Sequence, residues 1–113
     1  MATRFYFRGH NRFQVQCPVY FLGGSFLGRG TAIDVSQDGW RVEGDHQVKR
    51  GMHLAVRIFL PDQDPPVRVE QATVRWCSDQ EFGLQILKMD PPEQQRLSHF
   101  VKSLVQRSYA WRS

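Results

Sequence analysis

Cysteine is scarce in this chain: Cys17 and Cys77 stand alone, and no CxxC pair occurs. A disulfide-built scaffold and a thiolate zinc knot are thereby excluded. Four histidines, His10, His46, His53 and His99, fall without any ligand-like spacing, so neither a metal nor another cofactor is expected. No stretch approaches the roughly 18 uninterrupted apolar residues of a membrane-crossing helix. The opening MATRFYFRGHNR has neither a long apolar core nor a small-residue cleavage site, so a secretory signal is not expected. No nucleophile–base pair or pair of acids emerges, which argues against an enzyme. Together these absences describe a reduced, cytoplasmic protein with two unpaired thiols. The start at Met1 suggests a stand-alone protein rather than an excised domain.

Lysine is also scarce, with three against twelve arginines, and 11 acids hold the net charge to +4. The arginine bias suits forked, planar recognition of phosphate or guanine. A charge this modest argues against a long nucleic-acid polymer and fits a small anionic molecule equally well. The 113 residues, 41% of them hydrophobic, suffice for one domain with its own core.

The chain divides into three parts: an arm over 1–12, a barrel over 13–90 and a helical end over 91–113. Met1 to Arg12 has no clean period and alternates arginine with aromatics. From Phe13 to Phe21 strict alternation sets in, with Phe13, Val15, Cys17, Val19 and Phe21 on one face. Pro18 on that strand implies an edge position or a bulge. Further strands are expected over Phe26 to Val35, Trp40 to Glu43, His53 to Leu60, Val67 to Cys77 and Phe82 to Ile86. In the fifth, Val67 and Val69 are odd-numbered while Ala72, Val74 and Trp76 are even. One extra residue near Glu70-Gln71, a β-bulge, restores the register and phases Trp76 with Val74 toward the core. Six strands at this spacing predict a small antiparallel barrel.

Asp90-Pro91-Pro92-Glu93 then supplies a capping aspartate, a proline at the first helical position and a glutamate three residues after the cap. Leu97, Phe100, Val101, Leu104 and Val105 form one apolar stripe, so a C-terminal helix is expected to pack on the barrel. Tyr109 and Trp111 either finish that packing or offer a partner a hydrophobic handle.

Two polar constellations remain. Arg8 and Arg12 form an RxxxR pair directly before the first strand. Asp34, Ser36 and Gly39 form DxSxxG between the second and third, a pattern expected by chance only roughly 0.03 times in such a chain. Taken alone, DVSQDG reads as an Asx- or Ser-type turn.

Arm motif, turn motif and six-strand order together resemble the PilZ domain family, bacterial receptors for cyclic di-GMP. The resemblance spans nearly the whole chain and includes Trp76 and Phe82-Gly83-Leu84. It implies a six-stranded antiparallel PilZ-like barrel with a C-terminal helix, and a ligand site made by Arg8, Arg12, Asp34, Ser36 and Gly39. Phe7 stands where many relatives carry a further arginine, which leaves open one or two ligand molecules per site.

The chemistry of these residues fits such a ligand. An arginine fork grips guanine O6 and N7, or clamps a phosphate. Asp34 accepts from guanine N1–H and N2–H. Ser36 either donates to phosphate or fixes the turn, and Gly39 leaves room for a base. Arg41, on the outward face of its strand, is a lesser phosphate candidate, and Trp76 a lesser stacking candidate. The arm is expected to close over ligand held on the barrel and so signal to an unidentified downstream protein. The alternatives are a PilZ-like adaptor that binds no nucleotide, and a small barrel that binds single-stranded nucleic acid.

Overall fold

The computed structural model describes residues 13–36 and 38–112, with side chains through Gln106. In chain order the elements are β1 (Phe13–Leu22), β2 (Leu27–Val35), β3 (Gly39–Gly44), β4 (His53–Ile58), β5 (Val67–Ser78), β6 (Glu81–Lys88) and α1 (Pro91–Arg112). The strands close into an antiparallel barrel in the order β1-β2-β3-β6-β5-β4. Each lies where alternation predicts it, with ends displaced by a residue or two.

The inward faces fill the barrel. Cys17, Val19 and Phe21 of β1 and Leu54, Val56 and Ile58 of β4 are buried, and Leu60 stays buried beyond the strand end. Phe21 meets Phe82 edge-on at 5.1 Å, the offset geometry aromatic quadrupoles favour. Its ring occupies the space over Gly28, where a β-carbon would come within 2.3 Å. Burial of each large side chain contributes roughly 1.5–3 kcal/mol.

Closure leaves no free edge for Pro18, which is not in the bulge either: it pairs regularly with Thr31 and stands just before the β4 ladder begins. The β1–β2 register shifts between Gln14 and Cys17. Pairing of β1 with β4 begins at Val19, so the N–H that proline lacks is not required there. The Pro18 carbonyl still accepts from Phe59 N at 2.9 Å.

The expected bulge in β5 is present. Leu54 pairs with Ala72 and Val56 with Val69, which leaves Glu70 and Gln71 opposite one residue of β4. A second irregularity follows between Val74 and Trp76. The extra residue turns Trp76 out of phase with buried Val74, so the indole is 42% exposed rather than in the core.

Helix α1 buries Leu97, Phe100 and Val101. Glu93 does not close a capping box. Its Oε1 accepts from Arg68 N at 2.7 Å and pairs with Arg96 Nη1 at 3.3 Å. Arg96 in turn reaches the loop before β5, donating through Nε to Gln63 Oε1 at 3.1 Å and through Nη2 to the Pro65 carbonyl. The glutamate is thus drawn from the helix terminus to the sheet, where it joins α1 to β5. Among the described residues no helix is long and apolar enough to cross a membrane.

Candidate functional site

The DxSxxG turn links β2 to β3 and is held by the serine. Ser36 is buried, with 3% of its surface exposed. Its Oγ lies 3.0 Å from Asp38 Oδ1 and 2.9 Å from the Gly39 carbonyl, one of which takes its proton, and it accepts from Gly39 N at 3.2 Å. Ser36 N donates to the same carbonyl at 3.0 Å. Of the two roles open to this hydroxyl, the geometry uses the turn. Gly39 sits where β3 and β6 approach closely: a β-carbon there would stand 2.7 Å from the Leu84 carbonyl. Its missing side chain makes space for a neighbouring strand.

Asp34 owes its orientation to a break in the β2 alternation. Ala32 and Val35 are both fully buried although three positions apart. The β2–β3 register shifts between Ala32 and Asp34, and the β1 irregularity lies across from it. A strict two-residue period would carry Asp34 inward with Ala32. The inserted residue instead brings its carboxylate to the wall of a cleft of about 440 Å³, lined by Gln14, Val15, Gln16, Ile33, Asp34 and Arg41. Ser36 and Gly39 do not line it.

The cleft continues into a row across five strands. Gln14 pairs with Asp34, Asp34 with Arg41, Arg41 with Gly83 and Gly83 with Trp76. Arg41 is steadied by Glu81, whose Oε1 accepts from its Nε at 3.0 Å. The terminal guanidinium nitrogens of Arg41 make no hydrogen bond among the described residues. Trp76 lies over Gly83, where a β-carbon would come within 2.2 Å of its Nε1. The residues read as lesser candidates from sequence therefore share a row with Asp34. Arg8 and Arg12 lie outside the described residues, as do the side chains of Tyr109 and Trp111.

Sequence reasoning missed Gln14, Gln16 and Ile33 as cleft walls and Glu81 as the support of Arg41. Outward alternation of Gln14 and Gln16 is a usable signal, whereas the paired bulges at Ile33 leave none. Among the described residues no group of three metal-ligating side chains forms.

The PilZ domain profile matches residues 2–103, and the chain belongs to the PilZ family. The PilZ domain of CeSA from a cellulose synthesizing bacterium is similar with a TM-score of 0.65 at 15% identity, covering 82% of this chain and 96% of that one. The Bacillus subtilis inhibitor of motility, MotI/DgrA, is similar with a TM-score of 0.69 at 19% identity, covering 90% of this chain and 51% of that one. At these identities the likeness is one of fold. No curated protein matches the sequence.

Proposed function

We propose that the chain is a cyclic di-GMP receptor module that reports its occupancy to another protein. The observation that carries this reading is the pairing of Asp34 with Arg41 on adjacent strands, in one row with exposed Trp76. A carboxylate to accept from guanine N–H groups, a guanidinium fork for phosphate and an indole face for a base lie in sequence along the wall. Arg8 and Arg12 complete the clamp from the arm, one on guanine and one on phosphate. Ser36 and Gly39 act by setting the turn from which Asp34 is presented.

Calorimetric titration with cyclic di-GMP tests this, with GTP and a single-stranded RNA as controls. Loss of a charged hydrogen bond removes about 1.5–3 kcal/mol, so D34A and R12A should each weaken binding about 10- to 100-fold. R41A and W76A should weaken it less, by about 3- to 10-fold. Amide exchange around Arg8 should slow on binding while Asp34 changes little. No heat from the wild type, or an unaltered affinity in R12A, would leave the non-nucleotide adaptor as the better reading.

A further inference from the structure

A second row crosses the barrel on the side of β4. Arg29 pairs with Tyr20, Tyr20 with Arg57, and Arg57 with Arg68, so one outward line spans β2, β1, β4 and β5. All four side chains are exposed. None of the three guanidinium groups has an ion pair among the described residues. Of the nearby carboxylates, Asp45 accepts from the backbone N–H of Arg29, Glu93 from Arg68 N and Arg96, and Glu70 pairs with Lys88, while Asp90 lines the cleft beside Arg57 and Arg68. Like charges directly opposite on one face destabilise a sheet, and no ion pair among the described residues offsets that cost for Arg57 facing Arg68. Large apolar side chains surround the same row. Leu22, Leu27, Tyr20 and Phe59 are exposed, and Leu22 pairs with Leu27. A cleft of about 440 Å³ is lined by Leu22, Arg57 and Arg68 together with Glu70 and Asp90.

We infer that this wall docks an acidic segment of another protein, with carboxylates on Arg29, Arg57 and Arg68 and an apolar side chain in the cleft beside Leu22. Arginine and tyrosine with exposed leucines are the composition of an interface core, and the unpaired charge sets the sign of what binds. Two other occupants fit less well. Tyr20 and Phe59 meet edge-on at 89°, so they present no parallel faces on which successive bases could stack. A second copy of this chain would bring the same arginines against its own. The inference rests on the reading of the chain as a module that signals to a protein, and it identifies that protein's contact chemistry.

The test is selection of a displayed random dodecapeptide library on the full chain, in parallel with R57E/R68E. The wild type should enrich peptides rich in Asp and Glu around Leu or Phe. A synthetic peptide from that pool should lose at least tenfold in affinity for R57E/R68E and for L22D. If R57E/R68E fails to fold, R57Q/R68Q reads the same loss. Enrichment without acids, or an affinity indifferent to the arginines, overturns the proposal. So does arginine-dependent binding of phosphatidylglycerol vesicles or of a single-stranded oligonucleotide in place of peptide. Cyclic di-GMP titration of the same proteins separates the two readings. A wild type silent to nucleotide yet selecting acidic peptides sinks the receptor and keeps the docking surface; the reverse pattern keeps the receptor alone.

Discussion

Trp76 lies across Gly83 so closely that a β-carbon on the glycine would stand 2.2 Å from the indole Nε1. The contact holds the indole over Gly83 on the outer wall, two pairing steps from Arg41. It exists because the second irregularity of β5 turns the tryptophan outward while β6 supplies a residue without a side chain beneath it.

Two glycine substitutions should therefore differ in cost. G83A meets an exposed ring that can swing into solvent, and should lower stability by about 1 kcal/mol and shift tryptophan emission. G39A meets the Leu84 carbonyl at 2.7 Å, where backbone cannot swing aside, and should cost about 2–3 kcal/mol. Denaturant midpoints should fall in the order wild type, G83A, G39A; a reversed order would contradict the two contacts.

Removal of the Ser36 hydroxyl should be felt first in stability. S36A leaves the buried Gly39 N–H without its acceptor and should cost about 1–2 kcal/mol. Its effect on cyclic di-GMP affinity should be smaller than that of D34A, since the serine lies off the cleft. A larger loss in S36A at an unchanged midpoint would make the hydroxyl a direct ligand contact instead.

Glutamates of two of the ion pairs should separate by burial. The Glu93 side chain is 16% exposed and also accepts from Arg68 N, so E93A should cost about 1.5–3 kcal/mol and speed amide exchange in the first turns of α1. Glu70, at 54% exposed and 3.5 Å from Lys88, should cost no more than about 0.5 kcal/mol when replaced by alanine. Urea titrations of the two variants measure the difference.

The cysteines should be distinguishable by reagent and by pH. Cys77 is exposed and should react with a disulfide reagent at once, whereas buried Cys17 should wait for unfolding. Burial raises the Cys17 thiol above its ordinary 9.0. Below that value both folded and unfolded chains hold the proton, and the thiol adds no pH dependence. Above it the unfolded chain ionises first, so stability should fall with rising pH. C17A should flatten that part of the alkaline loss in pH-dependent melting.

Period and composition determine much of this protein. The two-residue period of Phe13 to Phe21 and of Leu54 to Leu60 names the inward side chains, because burial of one strand face leaves no other phase open. The phase slip between Val69 and Ala72 locates a bulge for the same reason, since apolar residues flank it on both sides. The stripe from Leu97 to Val101 likewise orients α1. Asp34, Ser36 and Gly39 are legible as a unit from their spacing, although not their division of labour.

Tertiary pairing decides the rest. Beyond Val74 only Trp76 continues the even-numbered apolar phase before the strand passes through Cys77 and Ser78, so nothing local marks the irregularity that exposes it. Ile33 sits between buried Ala32 and half-buried Asp34 with no change of composition, yet the shift there brings the carboxylate to the cleft. Glu93 has the spacing of a cap and is drawn instead to a backbone N–H of β5, and Arg29, Arg57 and Arg68 become neighbours only when four strands align. Local sequence sets which face of a strand is apolar; which residues on the opposite face meet depends on register across strands, and register is a property of the closed barrel.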